Sequence, residues 1–505
     1  MAEETVTFHE ELTALDAFFL HAERSEAPLH AGAVYIFDGQ PLVAGGRGAR
    51  GVARTLEERL HLAPRYRQRV RFRPLNLGHP VWVDDPDFDL GHHVRFATLA
   101  RPGTDDLLLE YAAEVWAERL DVRRPLWELH VVDGLSGGRV ALITKVHHAM
   151  VDGTSTVDIA TVLLDPDPES PAPAPRPWRP RPAPDDLSLA MDTLDGLHRL
   201  ANVNPLTLPF KLPGLVRGAA QEAMASPWAG AATLALSLVR PGPQLFFNRL
   251  IGPDRRLHNL VVPLAELKEI QEIFAATVDD VVLAVVAEAT SQWLEERGEP
   301  RAGSMRVLCP VSVRDVRRRH PLGSHVSGVV VDLPIGPMPP VTRLARIVAA
   351  TGELERTGQA VAAGDLSEVT SWVPGTLHVL GSRLASEPRV GLQSRVNMVV
   401  TNVPGPRAPF YTGGARMLEV WPFAPVRHTL GLNVALVSYD GGVHIGLSAD
   451  RDLVPDLERF AGQLEGATAE FTAMARRLRR PFTRGRSAAE DGLPGREPGP
   501  HRPPG

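Results

Sequence analysis

Lys145-Val146-His147-His148-Ala149-Met150-Val151-Asp152-Gly153 puts two histidines, an aspartate and a glycine within seven positions, directly after a strand-like run. Such a set reads as an acyl-transfer site. An imidazole that titrates near neutral pH can take the proton from an attacking hydroxyl or thiol, and a carboxylate a few residues on can fix the geometry that aims the ring. Gly153 lets the chain turn tightly there. Two other uses compete for the same residues. Metal ligation is disfavoured, because neighbouring residues on a strand point to opposite faces and no Cys, His or Glu follows at zinc-finger or H-E-x-x-H spacing. A pair of satisfied core histidines is the stronger alternative, and the Asp-Gly that follows tips the reading towards function.

The flanking elements are patterned to present this motif. Trp127 to Val132 and Arg139 to Val146 are apolar-rich runs separated by Asp133-Gly134-Leu135-Ser136-Gly137-Gly138, the signature of a β-hairpin whose second strand delivers the histidines. Thr154 to Leu164 is apolar at helical spacing after Gly153-Thr154-Ser155, a capping sequence, so the motif is expected on a strand-to-helix turn. Catalytic groups commonly occupy such turns.

Residues 1–164 therefore form an N-terminal unit. Between Asp165 and Asp185 nine prolines fall among Ala, Arg and Glu, which favours extended chain and predicts a linker over 165–186. Residues 187–254 read as a crossover of helical segments broken at Pro205, Pro209, Pro213, Pro227 and Pro241. A second α/β unit is expected over 255–480. Val261 to Phe274 and Asp279 to Glu296 look helical, whereas Met305 to Val313, Ser327 to Leu333 and Arg395 to Thr401 are β-branched and strand-like. Leu430 to Ser438 and Val443 to Ser448 flank Tyr439-Asp440-Gly441-Gly442 as a hairpin, and Leu457 to Arg480 closes as an amphipathic helix. The Pro, Gly and Arg tail over 481–505 predicts disorder.

A chain of 505 residues with 44% hydrophobic content has room for two or three domains and a sizeable core. A net charge of −6, from 54 basic and 60 acidic residues, argues against nucleic acid as a partner. Cys309 is the only cysteine, which excludes an intramolecular disulfide; its Val307-Leu308-Cys309-Pro310-Val311 setting reads as a core position. The acidic start lacks the basic flank and apolar core of a secretory signal, so a cytoplasmic protein is expected. Apolar runs such as Gly230 to Val239 fall short of the roughly 20 residues that span a bilayer, leaving peripheral contact with a membrane or lipid droplet, with Phe210 and Trp228 as candidates.

Several motifs in order carry a resemblance. His148, three spacers and Asp152-Gly153, preceded by His147, match the HHxxxDG signature of the coenzyme A-dependent acyltransferase superfamily. Leu12 to Leu20 and Leu29-His30-Ala31-Gly32 resemble the opening segment of the bacterial wax ester synthase/diacylglycerol acyltransferase family. Pro125-Leu126-Trp127 resembles its PLW motif, Asn402-Val403-Pro404-Gly405-Pro406 its NVPGP motif, and Leu430 to Arg451 its final hairpin. The chain departs at Asp279-Asp280, where the family usually has Asn-Asp, and at Gly323-Ser324, where Gly-Asn is common. An ionised Asp279 cannot donate the hydrogen bond an asparagine could.

The resemblance implies a two-lobed α/β fold, each lobe a mixed sheet with helices, and a tunnel between them. It implies His148 as general base towards a diacylglycerol or fatty alcohol hydroxyl, acyl-CoA as co-substrate, and no resident cofactor or metal. His147 would shape the site and Asp152 would hold the turn through an arginine. Pro125, Leu126, Trp127, Asp279, Asp280, Asn402, Pro404 and Gly405 would be structural at the site. Arginines over 59–73, interleaved with Tyr66 and Phe72, offer either a phosphate-binding patch or a solvated face. Condensation or polyketide O-acylation, and a catalytically weak lipid-droplet binder, are the competing functions.

Overall fold

The computed structural model describes residues 7–44, 48–76, 78–150, 159–170, 173–174, 176–192, 242–299, 302–312, 326–356 and 396–479. Asp152, Gly153, Gly323-Ser324, most of the crossover with Phe210 and Trp228, and the tail lie outside the described residues. Two six-stranded mixed sheets organise the rest.

The N-terminal sheet runs Tyr411–Thr412, Ala415–Phe423, His30–Asp38, Arg139–His147, Trp127–Asp133, Val94–Thr98, antiparallel until its last, parallel pair. Trp127 pairs with Val146 and Val132 with Ala141, which is the expected hairpin. Helix Asp105–Ala117, capped by Thr104 Oγ1 on Leu107 N–H, buries Leu108, Leu109, Ala112, Val115 and Trp116 against one face of this sheet. The C-terminal sheet runs Val326–Pro334, Ser304–Ser312, Met398–Val403, Leu432–Tyr439, Gly442–Asp450, Arg255–Pro263. Its core helix, Val278–Glu296, is buried from Asp280 through Thr290 and again at Trp293 and Leu294. The closing helix, Leu457–Arg479, packs on it. Val261 to Pro263, expected at the start of a helix, finish the Arg255–Pro263 strand instead, because Pro263 ends the ladder and the helix begins at Leu264.

Two expectations about organisation need correction. The unit over 255–480 is not closed on itself: strand Ala415–Phe423 leaves it to pair with His30–Asp38, Trp421 opposite Val34 and Phe423 opposite Gly32. This strand lies directly on its own lobe as well. A Cβ on Gly446 would come 1.6 Å from Pro422 O, so glycine is what lets the lobes touch. Tyr439 fastens the same seam, its hydroxyl donating to Met417 O at 2.8 Å and accepting from Phe410 N–H at 3.0 Å.

The proline-rich stretch over 165–186 is extended, as prolines dictate, yet it is no free linker. Asp165 exchanges both backbone hydrogen bonds with Tyr411 at 2.8 Å and pairs with Arg59 at 2.7 Å. Trp178 Nε1 donates to Asp85 O at 3.0 Å, and Arg181 grips Asp84 through Nε and Nη2 at 2.8 and 2.9 Å. A three-stranded sheet of Glu10–Glu11, Val81–Asp84 and Gln68–Arg71 receives this strap.

Candidate active site

His147 ends the Arg139–His147 strand, and His148 opens a single 3₁₀ turn, His148–Met150. A turn this short leaves its backbone donors without helical partners. Two outside acceptors and one local ring serve three successive N–H groups: His147 N–H donates to Leu126 O at 2.9 Å, His148 N–H to Leu29 O at 2.8 Å, and Ala149 N–H to His147 Nδ1 at 3.0 Å. Leu126 belongs to Pro125-Leu126-Trp127 and Leu29 to the opening segment, so these motifs clamp the backbone at His147 and His148. Trp127 anchors the clamp. Fully buried, it donates from Nε1 to Tyr66 O at 2.8 Å and stacks on His93 with centroids 4.5 Å apart. Tyr66 Oη then accepts from Ile159 N–H at 3.0 Å, fixing the start of the Ile159–Leu163 helix beyond the motif.

Because His147 Nδ1 accepts a hydrogen bond, its ring proton belongs on Nε2. That nitrogen faces Glu23 Oε1 at 3.7 Å, and His30 Nε2 faces the same oxygen at 3.3 Å. Glu23 Oε1 also accepts from Leu29 N–H at 3.3 Å, and Arg119 holds Oε2 at 2.8 and 3.1 Å. Burial works to raise the Glu23 pKa, but the close approach of His30, the charge of His147 and Arg119 outweigh it and hold the carboxyl at about 2. Burial pushes His147 down to about 3, past the opposing pull of Glu23. The carboxylate that faces His147 and His30 within the described residues is thus Glu23, which sequence reasoning missed. Its only signal was a place seven residues before His30 on the opening segment.

His148 lies half-buried, its ring stacked on Phe19 with centroids 4.1 Å apart at 25°. Among the described residues its Nδ1 has no hydrogen-bond partner. Burial lowers its pKa to about 4, a backbone hydrogen bond opposes the shift, and the Arg427 charge adds to it. The ring is neutral at physiological pH, the state a general base requires.

Asp279 and Asn402 meet in the C-terminal lobe, Asn402 Nδ2 donating to Asp279 Oδ1 at 2.5 Å. Among the described residues no hydrogen bond or ion pair links them to His147 or His148. Asp280 closes a capping box with Thr277 and accepts from Thr351 Oγ1 at 2.6 Å, which is helix anchoring. Gly405 abuts the neighbouring Leu432–Tyr439 strand, where a Cβ would sit 2.0 Å from Ser438 O, and Pro404 is exposed beside it. Cys309 packs against the core with its pKa pushed up to about 12, by burial and then by Asp279, so it stays a thiol. Most arginines over 59–73 are engaged inside the lobe: Arg65 with Glu10, Arg71 with Asp186, Arg73 with the carbonyls of His79 and Leu189. They do not form an open phosphate patch.

Two mixed sheets that meet along a crossing strand, with a clamped neutral histidine pair on a short turn, define a two-lobed α/β acyltransferase-like protein. The profile of the wax ester synthase/diacylglycerol acyltransferase catalytic domain matches residues 12–282, and that of the WS/DGAT C-terminal domain matches residues 322–472. The chain belongs to this family. It is 33% identical over 489 residues to the Mycobacterium tuberculosis protein named "Probable diacyglycerol O-acyltransferase tgs1", covering 94% of this chain and 98% of that one. The structure of a wax ester synthase/diacylglycerol acyltransferase from Marinobacter aquaeolei VT8 matches at a TM-score of 0.63 and 25% identity, over 92% of this chain and 100% of that one. The first condensation domain of the calcium-dependent antibiotic synthetase shares the fold, with a TM-score of 0.55 at 17% identity over 93% and 99% of the two chains.

Proposed function

We propose that the protein transfers a fatty acyl group from acyl-CoA to the hydroxyl of diacylglycerol or a long-chain alcohol, with His148 as general base and no resident cofactor. The observation that carries this reading is the clamp that fixes His148 on its turn, where burial keeps the ring neutral. His148 takes the hydroxyl proton as the oxygen attacks the thioester carbonyl. The tetrahedral oxyanion collapses, the C–S bond breaks, and the CoA thiolate recovers the proton from the imidazolium. His147, held by Glu23, shapes the site, and Asp152 supports the turn. Asp279, Asp280, Asn402, Pro404 and Gly405 are structural in the opposite lobe. Substrates enter between the lobes from opposite sides.

Diacylglycerol and fatty alcohols reside in membranes and droplets, so the protein works at such a surface. None of its described helices is long and apolar enough to cross a membrane, which supports peripheral association. Purified protein given palmitoyl-CoA and a panel of diolein, hexadecanol and an aminoacyl acceptor, with thiol release as readout, tests the reading. Ester formed from diolein or hexadecanol is expected. Turnover with the amine alone points to a condensing enzyme, and none with any acceptor to a lipid-binding protein; either result overturns the proposal.

A further inference from the structure

Between the strands Gln68–Arg71 and Val81–Asp84 the chain turns at Arg73-Pro74-Leu75-Asn76, where Asn76 N–H donates to Arg73 O at 2.9 Å. Leu75 takes φ 58° and ψ 13° in the third position of this turn, which is of type II and favours glycine or asparagine there, because a Cβ crowds the left-handed backbone. The fold returns nothing for that strain, since Leu75 is 90% exposed. A residue that strains its turn and buries almost none of its surface helps stability neither by conformation nor by packing, so its apolar side chain serves something outside the fold.

Leu75 has apolar company. The helical residues 186–192 lie beside the loop, held by Arg71, which donates to Pro184 O at 2.5 Å and to Asp186 Oδ1 at 2.7 Å, and by Arg73, which donates to Leu189 O at 3.0 Å. Leu189 turns inward onto Val81 and Val83, while Leu187 and Met191, one helical turn apart on the other side, are 71% and 53% exposed. Phe72, also exposed, approaches His21 with ring centroids 6.1 Å apart, and His21 belongs to the Ala14–Ala22 helix whose Phe19 stacks on His148. One helix therefore joins this patch to the catalytic turn. The charged groups at its rim face one another: Arg71 and Asp186, His9 and Asp192 at 3.4 Å, Arg73 and Glu11 at 3.9 Å. These pairs leave no surplus of positive charge to attract anionic headgroups. Four side chains on two short elements cover on the order of a few hundred Å², short of the roughly 800 Å² per partner that a stable protein–protein interface buries, whereas an apolar patch with a polar rim suits a lipid surface.

We propose that Phe72, Leu75, Leu187 and Met191 insert into a zwitterionic lipid surface and hold the N-terminal lobe on it, beside the lipid that carries the acceptor. The choice of partner rests on the reading of the protein as an acyltransferase with a lipid acceptor; the choice of face rests on these residues. Binding follows the apolar area that the four side chains bury among the acyl chains, while the paired charges of the rim stay level with the headgroups. The strain at Leu75 is the cost of holding an apolar side chain at the tip of a turn, outside the fold.

The test measures co-sedimentation of the full-length protein with phosphatidylcholine vesicles containing diolein, and palmitoyl-CoA-dependent ester formation from that diolein and from dissolved hexanol. The variants are Leu75→Asn, which suits the left-handed turn, and the double variant Leu187→Gln with Met191→Gln, which keeps good helix formers. For Leu75→Asn, vesicle affinity should fall about 10-fold, the scale of one leucine side chain returned to water, with a melting temperature equal to the parent's or higher. The double variant should lose at least as much. Ester formation from vesicle diolein should fall with binding, and turnover of hexanol should stay at the parent's rate. Parent binding should persist in high salt and gain little from added phosphatidylglycerol, because screening acts on charge and not on insertion. No vesicle binding by the parent, parental binding by both variants, or binding that needs anionic lipid overturns the inference. A dimeric parent with monomeric variants overturns it in favour of a second copy, and melting temperatures that fall in both variants overturn it in favour of cover by the chain itself. Patch-dependent binding in a protein that forms ester from no acceptor leaves this surface standing and removes the acyltransferase reading, whereas a parent that forms ester but binds vesicles no better than either variant removes this surface alone.

Discussion

Glu23 holds together what the sequence showed only as scattered histidines. Its carboxylate faces His30, His147, Leu29 N–H and Arg119 at once, while His147 passes the restraint to the peptide of Ala149. Glu23→Gln keeps the shape and removes the charge. It should lower stability by about 2 to 3 kcal/mol, the scale of hydrogen bonds to a buried charged group, and cut turnover by loosening the turn. Chemical denaturation read beside turnover checks both effects; a variant as stable and active as the parent contradicts the assignment. The same cluster sets an acid limit. His147 and His148 are lowered from an ordinary 6.5 to about 3 and about 4, so the unfolded chain binds protons that the folded one refuses. Stability from these rings is full above about pH 6.5 and is lost as pH falls towards their folded values. Glu23, lowered from 4.5 to about 2, adds a further loss between those values. The melting temperature should therefore fall steadily below about pH 6.5, and His147→Asn, which keeps an acceptor near the Nδ1 position, should flatten part of that slope. An unchanged slope would show that the ring does not carry the linkage.

At the scale of elements, the hairpins were legible because turn chemistry is local. Asp440 and Gly441 both take positive φ, 43° and 85°, in the two-residue turn their types favour, and the strands pair from Leu432 with Ala449 to Tyr439 with Gly442. Partner choice was not legible. The alternation of Ala415–Phe423 marks a strand but cannot say that it joins the sheet of His30–Asp38, since that depends on contacts hundreds of residues apart. The proline-rich strap misled for a related reason: composition dictates extended backbone, while docking depends on Trp178 and Arg181 finding Asp85 and Asp84. Gly446→Ala tests the crossing. Its Cβ would strike Pro422 O, so the strand must shift, at a cost of about 3 kcal/mol. Gly441→Ala, at φ 85° with nothing nearby, should cost about 1 to 2 kcal/mol from backbone strain alone. Equal denaturation midpoints for the two variants would argue against the close approach of the lobes.

For the whole molecule, the crossing strand makes the lobes interdependent. Leu257 of the C-terminal sheet packs into the N-terminal helix–sheet core, and Tyr439 joins the cluster around Trp127. One cooperative unfolding transition, seen identically by far-ultraviolet circular dichroism and tryptophan fluorescence, is the expected behaviour, and two separated transitions would contradict it. The central claim is that His148 supplies the base for acyl transfer. The most direct measurement is acyl-CoA-dependent ester formation by His148→Ala beside the parent, with circular dichroism and melting temperature recorded on both. The account predicts a fall of about 10²- to 10⁴-fold in a variant that remains folded. Ester formation at the parent's rate by a folded His148→Ala would contradict it.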